Sequence, residues 1–434
     1  MKEICFVTGW YSAPYFSSIS DCLGEDIKSS FIVHDSYSHQ YLLQQGHSNV
    51  YKRRQCPFKS SFKKNYYNDF IKMDIHFTNQ GFGNYNFWEK YYNKRSSTFE
   101  KWLKLLWSKN KPDIIIIWNG MWHFEKLVIK YAKEKKIKIF FLENGYFPNT
   151  IHIDSQGVNC NSEIKNKFSL NNRELISKNV INKIKNSFEE LKPYSQVSDL
   201  VNTLSPIRKI FVLFEILIMD LLFIAPEFFA KLIILLKSKR NRVLLQTTQP
   251  LPKRYIFIPL QKTYDSQIIL NSPWVHSPRE LIFIVLDAIK SLGLNYDLVV
   301  KEHPMEDAHI SFKDIQKRYP SIYWASKNSL QDLILNSSLI ININSSVGFH
   351  ALLFGKPVIC LGKSLYTGDG LADYCSKKDD LLGIIKNTLI KKISEEKVNI
   401  FAKTLFEKYS FPYTRGAIKK REIEIVANFL KDNF

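Results

Sequence analysis

The stretch from Leu339 to Gly362, LIININSSVGFHALLFGKPVICLG, limits the folds open to this chain more than any other. Leu339 to Ile343 is a short apolar run of the kind that fills one buried parallel strand. Asn344-Ser345-Ser346-Val347-Gly348 then turns the chain, and Phe349 to Phe354 fits one or two helical turns closed by Gly355. After Lys356-Pro357 a second apolar run, Val358 to Leu361, ends at Gly362. This is a strand-turn-helix-strand unit. Its turn sets two hydroxyls and several backbone N–H groups at a helix N-terminus, where the helix dipole and the unpaired donors favour an anion. A nucleotide phosphate fits that place. For an isolated Ser-Ser the alternative is a helix cap that binds nothing.

The same alternation recurs along the chain. Lys2 to Gly9, Ser30 to His34, Ile114 to Trp118 and Ile137 to Leu142 read as strands of a first sheet, with helices near Ser97 to Ser108 and over Met121 to Lys135. Residues 50–100 are polar and Tyr/Asn-rich, with little period to read. Arg254 to Leu260, Tyr296 to Val300 and Ser321 to Ala325 read as strands of a second sheet. The helix over Ser277 to Leu292 starts on Ser-Pro-Arg-Glu, a cap with proline in the first turn. Strands alternating with helices predict parallel sheets of Rossmann type, whose ligands meet the C-terminal strand ends. Glu143 stands at such an end, before Asn144-Gly145-Tyr146, and is a candidate for acid–base work; a cap or a surface ion pair is the alternative.

A chain of 434 residues exceeds one ordinary core. We divide it into an N-terminal Rossmann-like domain over 1–165, a helical, apolar and basic insertion over 166–250, a C-terminal Rossmann-like domain over 251–400, and C-terminal helices over 401–434. The last helix, Lys419 to Leu430, is expected to pack back on the N-terminal domain.

The net charge of +20, from 61 Lys and Arg against 41 Asp and Glu, calls for anionic partners. The basic residues are spread along the chain, so nucleic acid is not expected. None of the six cysteines forms a CxxC pair, which leaves a zinc or redox site without support. The start, MKEICFVTGW, reads as a strand rather than a signal peptide, so a cytoplasmic location is expected. Lys209 to Lys237 is very apolar but is broken by Glu215, Asp220, Pro226 and Glu227. Acidic groups at mid-bilayer would cost about 2.5–3.5 kcal/mol each. That cost favours interfacial helices or a buried helical hairpin between the domains over a spanning helix. Lys231, Lys237, Lys239, Arg240 and Arg242 beside it would favour an anionic lipid surface.

Three strand ends of the second half carry chemistry: Asp265, His303 and Ser345-Ser346. In a doubly wound sheet they converge on one crevice. His303 and the serines would serve a phosphate, Lys301 would add a cation, and Asp265 would act on the carbon that loses the phosphate.

These residues resemble the bacterial capsule-polysaccharide synthesis family of β-Kdo (3-deoxy-D-manno-octulosonic acid) transferases. The resemblance rests on Glu143-Asn144-Gly145-Tyr146, Gly157-Val158-Asn159 with Asn161-Ser162, and Pro259-Leu260-Gln261 with Asp265-Ser266-Gln267-Ile268. It continues through Lys301 with His303-Pro304, Asn344-Ser345-Ser346-Val347-Gly348, Gly355-Lys356-Pro357-Val358 and Gly370-Leu371. The Asp-Ser-Gln-Ile form is most similar to the branch that adds the first Kdo to a phosphatidylglycerol-type lipid anchor.

The resemblance implies a GT-B fold, two Rossmann-like domains facing across a cleft. It implies CMP-β-Kdo as donor, no metal and no other cofactor, and retention by double displacement. Asp265 matches the nucleophile, Glu143 the group that takes the acceptor's proton, and His303 the histidine that stabilises departing CMP. Lys301, Pro304, Ser345, Ser346, Gly348 and Gln261 fall at donor-binding positions. A lipid or glycolipid acceptor, an anionic membrane surface and other capsule synthesis proteins are the partners implied, at the inner face of the membrane. The chain departs from the family pattern at Asn144, Phe147 and Cys160, on the acceptor side. A transferase of another CMP-activated acidic sugar, of sialic-acid type, and a non-catalytic assembly or export partner are the alternatives.

Overall fold

A computed structural model describes residues 1–52, 67–80, 83–108, 111–167, 204–214, 244–306 and 310–434, together with positions 226, 229, 230 and 233. Most of the helical insertion expected over 166–250, including most of the apolar segment over 209–237 and the basic residues Lys231 to Arg242, lies outside the described residues.

In chain order the strands are β1 Lys2–Thr8, β2 Ile27–Val33, β3 Val50–Lys52, β4 Ile114–Trp118, β5 Lys138–Asn144, β6 Thr150–Asp154 and β7 Tyr255–Pro259. Then follow β8 Asp297–Lys301, β9 Tyr323–Trp324, β10 Leu339–Asn342, β11 Val358–Cys360, β12 Asp373–Tyr374 and β13 Ser410–Pro412. The chain divides into two compact units, one of Met1–Val158, Leu191–Ile233 and Tyr409–Phe434, the other of Asn159–Glu190 and Ile234–Lys408.

Among the described residues the first unit holds a seven-stranded sheet of order β13-β6-β5-β4-β1-β2-β3. Strands β1 to β5 pair in parallel, while β6 runs antiparallel to β5 and β13 antiparallel to β6. The run Ile114–Trp118 is apolar at every position because both faces of its strand are covered. The chain's tail belongs here for a packing reason. Strand β13 extends the sheet edge, and the helix Lys420–Lys431 buries Ile423, Val426, Ala427 and Leu430 in the first core. Phe429 meets Phe140 at 5.2 Å and Phe411 at 4.7 Å, centroid to centroid.

The described part of the polar-looking region before residue 100 has more regular structure than its composition suggests. It forms the helices Asn68–Thr78 and Tyr85–Leu106. In the second, Trp88, Tyr92, Ser96, Phe99 and Leu103 recur at helical spacing and are buried.

The second unit holds a six-stranded sheet of order β12-β11-β10-β7-β8-β9, parallel at every pairing. The chain builds outward from β7 through β8 to β9, returns to the other side of β7 as β10, and continues through β11 to β12. The direction of winding reverses between β7 and β10, and a doubly wound sheet opens its ligand crevice at the C-terminal ends of the strands flanking that reversal. Both units are Rossmann-like, the α/β class that the sequence implies. Among the described residues no helix is long and apolar enough to cross a membrane. Cys5, Cys22, Cys160, Cys360 and Cys375 are free thiols.

Candidate active site

Strand β7 ends at Pro259, and the loop that follows carries Gln261 and Asp265. Gln261 is buried, and its amide ties three groups together. Nε2 donates to Asn344 Oδ1 at 2.9 Å and to Asp265 Oδ2 at 3.3 Å, while Oε1 accepts from Asn344 N at 3.1 Å. Asn344 Nδ2 donates in turn to Gln267 O at 2.9 Å. The loop ends of β7 and β10, the two strands at the winding reversal, are thus locked to one another.

Asp265 N-caps the short helix Ser266–Asn271, with Oδ1 accepting from Gln267 N at 2.8 Å. Each carboxylate oxygen therefore has a protein donor, which fixes the direction of the group. Burial pushes its pKa up, against the Gln267 N–H, the Gln261 amide and the Lys262 charge, which all pull it down. A carboxylate poorly solvated in this way is a stronger nucleophile than one in water.

The turn after β10 depends on a buried asparagine inside a strand. Asn342 is fully buried; its Oδ1 accepts from Ser345 N at 2.8 Å and from the Tyr366 hydroxyl at 3.3 Å. Tyr366 also reaches Ser345 O. Ser345 caps the helix Ser346–Leu353 by accepting from Val347 N at 3.3 Å, and a hydroxyl used as acceptor keeps its own proton to donate. Ser346 is exposed at the first helical position. The helix begins three residues earlier than the sequence suggests, so both serines lie on its N-terminus. Gly348 is required for packing: a Cβ there would stand 2.4 Å from the Tyr366 hydroxyl and 2.6 Å from Asn342 Nδ2.

Strand β8 ends at Lys301, and here the structure corrects the sequence reading. Lys301 was expected to add a cation to the phosphate site. Instead Nζ donates to the carbonyls of Ser326 and Asn328, each at 2.7 Å, and of Ala325 at 3.5 Å. An ammonium directed at three carbonyls clamps the loop after β9, and burial lowers its pKa.

His303 is half-buried, with Pro304 exposed beside it. His303 Nδ1 lies 3.1 Å from Met305 N and accepts from it, which assigns the proton of the neutral ring to Nε2. The His303 loop is joined to the Asp265 loop by Glu306, a buried carboxylate whose Oε2 accepts from Thr263 N at 2.8 Å and Thr263 Oγ1 at 2.7 Å. Glu302, also buried, holds Leu245 N at 2.6 Å and Ser326 Oγ at 3.0 Å.

Asn342, Tyr366, Glu302 and Glu306 were not singled out from sequence. Asn342 alone left a legible signal, a polar residue interrupting the apolar run Leu339 to Ile343. The other three act through partners distant in the chain, which no local pattern reveals.

In the first unit Glu143 is the penultimate residue of β5 rather than a residue after it. It is half-buried, and Oε1 accepts from Asn144 N at 2.8 Å and from Asn144 Nδ2 at 3.0 Å. The charges of Glu125, Glu143 and Asp35, together with burial, raise the pKa of the Tyr11 hydroxyl, burial being the largest cause. Tyr11, Asp35 and Glu125 belong to the loops and helices that follow β1, β2 and β4, and Glu143 to the end of β5, all at the C-terminal edge of the sheet. Among the described residues no group of three or more His, Cys, Asp or Glu side chains is arranged to hold a metal ion.

With this geometry in hand, comparison with known proteins decides the family. The profile of the capsule polysaccharide biosynthesis protein family matches residues 113–382, more than half of the chain. The chain belongs to that family. The matched segment contains Glu143, Asp265, His303 and both serines.

Among relatives in the capsule polysaccharide biosynthesis family and beyond, the chain is similar to Protein FixF of Sinorhizobium fredii. The identity is 25% over 255 residues, covering 58% of this chain and 49% of that protein. It is also similar to the capsule polysaccharide export protein KpsS of Escherichia coli, 30% identical over 146 residues, which cover 32% of this chain and 37% of KpsS. The chain spans about half the length, or less, of these curated relatives. Among solved structures it is similar to the β-Kdo 2,7 transferase of KpsC from Thermosulfurimonas dismutans, with a TM-score of 0.39 and 17% identity. The match covers 76% of this chain and 89% of that one.

Proposed function

We propose that this family member is a retaining glycosyltransferase that moves β-Kdo from CMP-β-Kdo to a (lyso)phosphatidylglycerol-type or glycolipid acceptor in capsule polysaccharide synthesis. The observation that carries the reading is the lock at the β7/β10 reversal. It holds a half-buried carboxylate, Asp265, beside a helix N-terminus bearing two serines, tied through Glu306 to a histidine loop.

The chemistry follows from those groups. Asp265 attacks the anomeric carbon while the bond from that carbon to the phosphate oxygen breaks, and its electron pair leaves with CMP. His303, with its proton on Nε2, donates to the departing phosphate, and Ser345 and Ser346 donate to its oxygens. The sugar now sits as an ester on Asp265. The acceptor hydroxyl attacks the same carbon, Glu143 takes its proton, and the ester bond breaks to restore the Asp265 carboxylate. Two inversions give retention. The scheme uses no metal.

A membrane setting at the cytoplasmic face of the inner membrane agrees with the helix Pro206–Phe214. Its Val212 is buried and Arg208 Nη1 donates to Gln40 Oε1 at 2.8 Å, which fixes the helix on the unit. Ile207, Ile210, Phe211 and Phe214 recur at i, i+3, i+4 and i+7 and are exposed, an apolar stripe suited to a lipid interface. Such a position would bring the chain to lipid acceptors and to other capsule synthesis proteins.

The test is product mass analysis over a panel of donors and acceptors. Incubation with CMP-Kdo and a lysophosphatidylglycerol-type acceptor is expected to give a product one Kdo heavier. Product from CMP-sialic acid alone would replace the donor assignment. Absence of CMP binding in a titration would replace the enzyme by an assembly or export partner.

A further inference from the structure

The face of the first sheet that bears Glu143 carries a second titratable group that the proposed reaction does not use. His152 on β6 pairs directly with Glu143 on β5 in the antiparallel ladder, and Ser410 on β13 pairs with it from the other side. Residues opposed in this way share a face, with Cβ atoms about 4.5–5.5 Å apart. Asp154, two residues along β6, lies on that face too.

His152 is 1% exposed, and neither ring nitrogen has a hydrogen-bond partner among the described residues. Nε2 stands 3.6 Å from Asp154 Oδ2, an ion-pair distance too long for a hydrogen bond. Tyr409 stacks on the ring at 5.6 Å and 17°, which holds its plane. Asp154 is anchored in turn: Oδ1 accepts from Gln156 N at 2.7 Å and Gly157 N at 3.1 Å, at the head of the Gly157-Val158-Asn159 turn. A buried donor without an acceptor costs about 1–3 kcal/mol, so a protein that keeps one has a use for it. The use at hand is the carboxylate across the ladder. Glu143 now folds onto the main-chain and side-chain N–H groups of its neighbour Asn144. Because the two residues are directly opposed, a Glu143 side chain turned across the ladder would bring its carboxylate to the imidazole.

We propose that His152 is the positioning residue for Glu143, holding the carboxylate toward the acceptor while the Tyr409 ring holds the plane of the imidazole. The inference rests on the reading of Glu143 as the acceptor-side base. No bond forms or breaks at His152; the acceptor's proton stays on Glu143.

The test separates the two half-reactions in the full chain. In His152→Leu, transfer to the acceptor is expected to fall on the order of 10²-fold, the cost of a misplaced catalytic group. First-turnover release of CMP, which needs only the Asp265 side, is expected to stay at the wild-type rate. His152→Gln, which keeps an N–H donor, restores most of the transfer. Equal loss of both half-reactions, or loss of neither, overturns the proposal. A second measurement needs no turnover and no substitution at His152: ring-nitrogen NMR of the histidine-labelled protein. The His152 resonances are expected to move in Glu143→Gln, and unmoved resonances overturn the proposal. Should the wild type transfer no sugar while these resonances move, the reading of the reaction fails and the coupling of the pair stands.

Discussion

Gln261 and Asn344 grip each other from neighbouring strand ends, one amide donating at 2.9 Å and accepting from the other residue's backbone at 3.1 Å. The reciprocal bond closes the mouth of the sheet between β7 and β10, and its third arm holds Asp265. Gln261→Ala leaves the buried Asn344 side chain and backbone N–H without these partners, at a cost of about 1–3 kcal/mol. Thermal unfolding is expected to record that loss, and a CMP titration to record weaker binding from the same variant. Unchanged stability with unchanged binding would show that the lock is incidental.

Gly348 tests the serine turn. A Cβ at this position collides with Tyr366 and Asn342, the two side chains that hold Ser345. Gly348→Ala is expected to lose about 1–3 kcal/mol of stability, as overpacked sites do, and to weaken CMP binding at least tenfold. Gly383, with no atom within 4 Å of a built Cβ, is the control: Gly383→Ala in its helix is expected to be neutral or stabilising.

Glu125 gives the fold a pH dependence of its own. The residue is fully buried at the start of the helix His123–Glu134, with Oε2 accepting from Trp122 N at 3.1 Å. Burial, aided by the charge of Asp74, pushes its pKa from 4.5 to about 8. Below pH 4.5 both folded and unfolded chains hold the proton, and the stability is fully present. Between pH 4.5 and about 8 the unfolded chain ionises while the folded one does not. Stability therefore falls as pH rises, at a limiting slope of about 1.4 kcal/mol per pH unit. Glu125→Gln keeps an acceptor for Trp122 and removes the titration. Its stability profile is expected to be flatter, and higher than wild type at pH 8; superimposed profiles would contradict this.

The apolar stripe on Pro206–Phe214 is expected to drive vesicle binding. Sedimentation with phosphatidylglycerol vesicles should recover the wild type, and Phe211→Glu should remain in the supernatant. Equal recovery of both proteins would remove that helix from the membrane contact.

The parallel sheets were readable because their strands are covered on both faces and so appear as unbroken apolar runs, as at Ile114–Trp118 and Leu339–Asn342. The strand ends were readable for the same reason: where a run stops, a polar loop meets the crevice, and Asp265, His303 and Ser345 all stand there. The helix Tyr85–Leu106 was obscured because tyrosine, serine and asparagine occupy positions that it buries. Strand β13 has three residues and takes its identity from β6, more than 250 positions earlier. Lys301 looked like a phosphate ligand because charge alone is visible in sequence, whereas the three carbonyls that engage it come from the loop around Ala325 to Asn328. Buried polar pairs such as Asp74 with His123, at 2.6 Å, join positions that no short pattern links.

Asp265 is proposed to carry the sugar between donor and acceptor. The full chain incubated with CMP-Kdo without acceptor, then digested and analysed by peptide mass spectrometry, tests it directly. A Kdo-sized mass increase is expected on the peptide containing Asp265, discharged when acceptor is added and absent in Asp265→Asn. Transfer at the wild-type rate by Asp265→Asn, or a covalent sugar found on another residue, would contradict it.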